Sequence, residues 1–223
     1  MEAKRLAAEK AVESIKDGMV VGLGTGSTVY YAIHKIGELV KQGLEIKAIA
    51  TSVGSEQIAQ QLGINLVTFA DIDKIDLTID GADEVDPHWN LIKGGGGALL
   101  REKIVAAASK ELIVIADESK VVAQLGKFPL PIEVIPFGWE QTEKKIAELG
   151  CAPKLRVADG KPYLTDNGNY ILDCSFGTIA DPKSLHDRIN QIVGVVDNGL
   201  FVGYASRVIV GYHNETVKEL VRN

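Results

Sequence analysis

Short apolar runs of β character alternate with amphipathic helical stretches from Leu6 to Ala116, and this alternation restricts the chain more than any other feature. Leu6, Ala7, Ala11, Val12 and Ile15 recur at helical spacing over residues 2–16, and Asp17-Gly18 closes that helix. Met19 to Leu23 reads as a buried strand that runs into G-L-G-T-G-S-T, Gly22 to Thr28. The next helix takes Ser27 or Thr28 as its N-cap, turns Ala32, Ile33, Ile36, Leu39 and Val40 inward, and stops at Gly43. A strand at Ile46 to Ala50, a helix at Gly54 to Leu62, a weak strand at Leu66 to Phe69 and a strand ending at Asp80 follow. Ala98 to Ala108 is then helical and Leu112 to Ala116 is again a strand. Strands separated by helices of about 10–15 residues specify βαβ units with right-handed crossovers on a parallel sheet.

The expected fold class is therefore α/β, with a Rossmann-like, mostly parallel sheet. Ligands of such sheets bind beyond the carboxyl ends of the strands. Gly24, Asp80 and the run Asp117-Glu118-Ser119-Lys120 each follow a predicted strand and so belong to one sheet edge. Past Phe128 the pattern changes. Pro129, Pro131 and Pro136 around Ile132 to Ile135 indicate a linker and an edge strand. A helix over 139–149, short strands at Lys154 to Val157, Pro162 to Leu164 and Tyr170 to Asp173, a turn at Asp166-Asn167-Gly168, a helix at Ser184 to Ile192 and a strand at Val193 to Val196 make a small α+β unit. Residues 129–200 are expected to form this inserted domain, and residues 1–128 plus 201–223 the Rossmann-like one, completed by a strand at Arg207 to Val210 and a helix at Glu215 to Val221.

A hydrophobic share of 46% with 24% charged residues is that of a globular chain. No apolar run approaches the ~18 residues of a membrane span, and the opening M-E-A-K-R-L-A-A-E-K lacks a signal-peptide core, so the expectation is a cytoplasmic protein with no membrane partner. Cys151 and Cys174 have no metal-type spacing and read as free thiols. A net charge of −6 argues against a nucleic-acid partner. An anionic ligand would need lysines and amides gathered locally against that field.

Residues 76–102 concentrate features that a packed core does not ask for. Asp80-Gly81-Ala82-Asp83 ends a strand, Glu84 and Asp86 follow, and Lys93 precedes the glycines Gly94, Gly95, Gly96 and Gly97 and then Glu102. Clustered carboxylates repel one another and a glycine run is costly to order, so local rule-breaking of this kind marks a functional site. Aspartates three apart in a turn can bind a metal, transfer protons or accept hydrogen bonds from hydroxyls. The histidines at 34, 88, 186 and 213 are scattered and no EF-hand spacing is present, so no metal is expected. An ammonium at Lys93 suits a developing oxyanion. Glu102, early in a helix, suits a general base. The loop Thr25-Gly26-Ser27-Thr28 breaks the G-x-G-x-x-G fingerprint and lacks a P-loop lysine, yet offers amides and hydroxyls at a helix N-terminus, which fits a single phosphate. Lys120 adds a cation at the same edge, and Lys4 is a further candidate.

Together these residues resemble the A-type ribose-5-phosphate isomerase family. G-T-G-S-T, D-G-A-D-E-V-D, K-G-G-G-G-A and A-D-E-S-K occur in that family's order and intervals, and P-L-P-I-E-V-I-P and T-D-N-G-N are similar to its second domain. The resemblance covers essentially the whole chain. It implies interconversion of D-ribose 5-phosphate and D-ribulose 5-phosphate through a cis-enediolate, without a cofactor, in the non-oxidative pentose phosphate pathway. It further implies Glu102 as the base, Lys93 at the enediolate oxygen, and Asp80 and Asp83 on sugar hydroxyls, with Asp80 assisting ring opening. Thr25 to Thr28, Gly81, Ala82, Gly94 to Gly96, Lys120 and Lys4 would complete a sugar-phosphate site, and the family's homodimer or homotetramer is the expected assembly. An amino-sugar-phosphate deaminase or phosphogluconolactonase would want a histidine in the site. A sugar-phosphate sensor would want a basic DNA-binding segment and would lose Lys93 or Glu102.

Overall fold

The computed structural model describes residues 1–220. In chain order the elements are α1 (Glu2–Val12), β1 (Val20–Leu23), α2 (Val29–Lys41), β2 (Lys47–Ala50), α3 (Val53–Gln61), β3 (Leu77–Gly81), β4 (Glu84–Val85), β5 (Leu91–Ile92), α4 (Leu99–Ala107) and β6 (Leu112–Asp117). They continue with β7 (Leu130–Val134), α5 (Trp139–Ala147), β8 (Ala152–Leu155), β9 (Val157–Ala158), β10 (Lys161–Pro162), β11 (Tyr170–Ser175), α6 (Pro182–Asn190), β12 (Val195–Asn198), β13 (Leu200–Phe201), β14 (Arg207–Gly211) and β15 (Val217–Glu219). The chain divides into two compact units, Met1–Ala82 with Arg101–Val121 and Tyr204–Asn223, and Asp83–Leu100 with Val122–Gly203. Residues 83–100 thus pack with the second unit.

The first unit is built on a six-stranded sheet in the order β15-β14-β6-β3-β1-β2. β14, β6, β3, β1 and β2 run parallel, and β15 is antiparallel at the edge. Away from their ends the parallel strands are buried throughout, as expected of a sheet covered by helices. Val21, Leu23, Ile79, Ile113, Ile115 and Ile209 pack with Ala7, Ala11, Ala32, Ile33 and Ile36 of α1 and α2. Ile49, Ile75 and Val105 form a second apolar cluster. This is the α/β, Rossmann-like class that the alternation predicts. No helix among the described residues is long and apolar enough to cross a membrane.

Several sequence expectations change. α1 ends at Val12, four residues before the periodic pattern does, and Leu66 makes a single bridge to Ala48 instead of a strand, with a 3-10 turn at Phe69–Asp71. Thr28 stands at the N-cap of α2 but makes no side-chain cap. The expected terminal helix is β15: Arg207 on β14 holds Glu219 through Nε and Nη2 at 2.7 and 2.8 Å, which fixes an antiparallel register that helical periodicity cannot reveal. Val221, the last residue of that expected helix, lies outside the described residues.

The second unit has a four-stranded antiparallel sheet, β12-β7-β11-β8, a three-stranded one, β13-β5-β4, and the β9–β10 pair. β7 is central, not an edge strand as its prolines suggest. Pro131 carries no N–H, but its carbonyl accepts from Gly199 at 2.8 Å, and the ladder to β12 starts only at Ile132, so no bond is lost. Glu133 of β7 is fully buried. Its Oε1 accepts from Thr165 Oγ1 at 3.0 Å, Asn167 Nδ2 at 3.3 Å and Asn169 Nδ2 at 2.8 Å, so T-D-N-G-N is a turn folded over a buried carboxylate. Replacing Glu133 by Ala strands three donors, and the expected loss is about 3 kcal/mol of unfolding free energy in a urea titration. A loss below about 1 kcal/mol would show the turn to be held by other means.

Candidate functional site

In the first unit, β1, β3 and β6 are adjacent parallel strands, so Gly24, Asp80 and Asp117 stand at one sheet edge, where ligands of such sheets bind. Asp80, 1% exposed at the end of β3, accepts the Thr25 N–H at 3.1 Å and the Gly81 N–H at 2.7 Å through Oδ1. Gly24 makes this possible: a Cβ there would lie 2.1 Å from Asp80 Oδ1. The hydroxyl of Thr25 turns inward, 2.7 Å from Thr51 Oγ1 and 2.8 Å from Ser52 Oγ. Ser55 Oγ donates to the Gly24 carbonyl at 2.6 Å. Thr51, Ser52 and Ser55 lie outside the motifs above, although T-S-V-G-S directly after a strand is a hydroxyl-rich helix start of the same kind. Gly26 and Ser27 are exposed and Thr28 is half-buried. One side of the loop opens on a cleft of about 430 Å³ between α2 and α3, lined by Tyr30, Tyr31 and Ile58 as well as the loop itself.

Lys4 Nζ donates to Ser27 Oγ at 2.9 Å, which ties the first helix to the hydroxyl loop. Asp117 caps the 3-10 turn Glu118–Lys120 by accepting the Ser119 N–H at 3.0 Å and its hydroxyl. Burial by itself would raise the Asp117 carboxyl. The Ser119 hydrogen bonds and the nearby charges of Lys4 and Lys120 outweigh it and hold the carboxyl below its ordinary value. Lys4, Ser27, Asp117 and Lys120 thus form one electrostatic group in an otherwise acidic chain. Glu118 accepts the His213 N–H at 3.0 Å. Glu102, 4% exposed, stands in the first turn of α4.

In the second unit the acidic cluster divides. Asp83 N–H donates to the Ile92 carbonyl at 2.8 Å, and its Oδ2 accepts the Gly95 N–H at 2.8 Å. Glu84 is buried with its oxygens on the Gly126 and Phe128 N–H groups at 2.7 and 2.6 Å. Asp86 accepts from His88 N, Asn90 N and Asn90 Nδ2. Those two acids serve the fold. His88 contributes a backbone N–H to that turn. Lys93 is 2% exposed at the end of β5, its N–H on the Gly199 carbonyl at 2.9 Å and its Nζ 5.4 Å from the centre of the Phe201 ring. An ammonium over an aromatic face is attracted by the ring's quadrupole. Gly94 has φ +99°, a conformation that L side chains rarely adopt, and Leu99 and Pro131 fill the space a Cβ would need.

Among the described residues no group of three or more His, Cys, Asp or Glu could hold a metal ion. A Rossmann-like sheet with a buried acid at a strand end and a hydroxyl loop at a helix N-terminus is an α/β architecture with a ligand-binding sheet edge. A family model described as ribose 5-phosphate isomerase A (phosphoriboisomerase A) matches residues 47–215. Ribose-5-phosphate isomerase A of Bacillus cereus is 56% identical over 96% of this chain and 98% of its own length. That of Oceanobacillus iheyensis is 52% identical over 93% of each. Among solved structures, a D-ribose-5-phosphate isomerase in complex with phospho-erythronic acid superposes with a TM-score of 0.95 at 42% identity, over 98% of this chain and 97% of the other. Ribose 5-phosphate isomerase from Plasmodium falciparum gives 0.94 at 42%, over 97% of both. The chain belongs to the ribose 5-phosphate isomerase A family.

The lowered Asp117 carboxyl sets a pH dependence. Its folded value lies below its unfolded value of about 3.9, so its contribution is complete above that pH and is lost as pH falls through the folded value. Between about pH 5 and pH 3 the melting temperature of the parent should therefore fall more steeply than that of Asp117→Asn. Parallel curves would remove Asp117 from the acid-sensitive groups.

Proposed function

We propose that this isomerase interconverts D-ribose 5-phosphate and D-ribulose 5-phosphate with Glu102 as the base and Lys93 as the electrophilic partner. The carboxylate of Glu102 takes the C2 proton of the open-chain aldose, exchanges it in part with solvent and protonates C1, while the proton of the C2 hydroxyl passes to the C1 oxygen. The intermediate is a cis-enediolate. Because it is planar, one base on one face serves both carbons. The Lys93 ammonium stabilises the charge that grows on the enediolate oxygen, a contribution that scales with the low dielectric of a buried group. Asp80 and Asp83 accept hydrogen bonds from sugar hydroxyls, and Asp80 assists ring opening. Thr25 to Thr28 with Lys4 and Lys120 hold the phosphate end, and Gly81, Ala82 and Gly94 to Gly96 line the substrate with backbone. Proton transfer between neighbouring carbons consumes no redox equivalents and so needs no redox cofactor.

The observation that carries this reading is the burial of Glu102 to 4% exposure in the first turn of α4, at the position that the family resemblance assigns to the base. Turnover of ribose 5-phosphate in deuterated water, with chelator present, tests it. Deuterium at C1 of the ribulose 5-phosphate is the expected result, and Glu102→Gln should lose roughly 1,000-fold in kcat while still binding sugar phosphate. Turnover by Glu102→Gln near that of the parent would defeat the assignment of the base.

The assembly we propose is a homodimer or homotetramer, as the family resemblance implies. Sedimentation at micromolar concentration would reject it by returning the 24.0 kDa mass of one chain.

A further inference from the structure

Arg156 belongs to none of the motifs from which the site is read, yet its guanidinium ends at the tetraglycine. Nε and Nη2 hold the two oxygens of Asp173 at 2.9 and 2.5 Å, and Nη1 donates to the carbonyls of Gly94 and Gly95, each at 3.1 Å. Both side chains of this ion pair are largely shielded, at 16% and 28% exposure. No peptide bond of the described residues is cis. In a trans peptide the C=O and N–H point to opposite sides. The Gly94–Gly95 peptide is therefore gripped at both ends, its carbonyl by Arg156 and its N–H by Asp83 Oδ2 at 2.8 Å. With the Gly95 carbonyl on the same guanidinium nitrogen, the Gly96 N–H is directed away from Arg156. The upstream side is pinned too, by the Lys93 N–H on the Gly199 carbonyl at 2.9 Å.

Four glycines left to themselves would sample many backbone states. Here two charge-assisted hydrogen bonds select one. We infer that Arg156, oriented by Asp173, is a positioning residue for the isomerisation. It sets the peptide planes that follow Lys93 and thereby the place of the Lys93 backbone, an inference that rests on the role proposed above for Lys93. A lysine cannot replace it, because one ammonium has no planar fork to hold a carboxylate edge and two carbonyls at once.

The test uses the full chain as parent, Arg156→Ala, Arg156→Lys, Asp173→Asn and Lys93→Met, with kcat and KM for ribose 5-phosphate and a thermal melt for each. A misplacement of about 1 Å costs on the order of 100-fold in rate, so Arg156→Ala should lose roughly that factor in kcat with KM within about 3-fold of the parent. Arg156→Lys should stay close to the Ala variant, and Asp173→Asn should fall between them and the parent. Millimolar guanidinium chloride should restore part of the kcat of Arg156→Ala and none of that of Lys93→Met. A folded Arg156→Ala within about 3-fold of parental kcat would overturn the inference. So would a loss spread equally over kcat and KM with no response to guanidinium, which would leave Arg156 a stability role alone. Should Arg156→Ala fail to fold, Asp173→Asn is judged on the same kcat and KM criteria. Parental turnover by Lys93→Met would instead sink the role given to Lys93, and that outcome is separate because Arg156 is intact in that variant.

Discussion

The contact on which the first unit depends is the approach of the β1 loop to the buried carboxylate of Asp80. Burying an acid is costly unless donors replace its water. Asp80 receives two backbone donors, Thr25 and Gly81, and the chain comes close enough only because residue 24 has no Cβ. The hydroxyl network of Thr25, Thr51, Ser52 and Ser55 closes on the same turn, through the Gly24 carbonyl. One carboxylate thereby orders the loop that leads into α2. Its neighbours along the sheet edge, Lys4 and Lys120 around Asp117, then supply positive charge where the chain as a whole is acidic.

In the second unit the constraint is the tetraglycine. Glycine allows the φ of +99° at Gly94 and the contact of Gly95 with Asp83, but by itself it specifies nothing. The definition comes from side chains around it, Asp83 on an N–H and Arg156 on two carbonyls. Arg156 and Asp173 come from β-rich sequence far along the chain, so no local motif announces them. The burial of Lys93 has the same character: its ring partner Phe201 and its carbonyl partner Gly199 are more than a hundred residues away.

Much of the fold was legible because its signals are local. Apolar runs of period 2, amphipathic helices and glycine stops are written into contiguous residues, so β1, α2, β2, α3, β3, α4 and β6 all lie within a few residues of their expected places. Three failures share one cause, which is that a partner distant in sequence decided the outcome. The helix expected from Glu215 does not form, because Arg207 and β14 draw Val217–Glu219 into a strand. The prolines near β7 argue for an edge, but the one N–H that Pro131 lacks falls before the β12 ladder begins. Glu84 and Asp86 look like part of a reactive acidic cluster, but the N–H groups of Gly126, Phe128, His88 and Asn90 take them for the fold.

The sequence by itself determined the α/β class, the family, and which residue types gather near residues 24–28, 80–102 and 117–120, because catalytic chemistry demands those types in a fixed order and motif spacing survives without coordinates. Only the tertiary structure decided which carboxylates are spent on backbone donors, which lysine reaches the hydroxyl loop, and that Arg156 holds the glycine carbonyls. Those outcomes are set by hydrogen-bond geometry between segments far apart in the chain, where a difference of an ångström separates a bond from none.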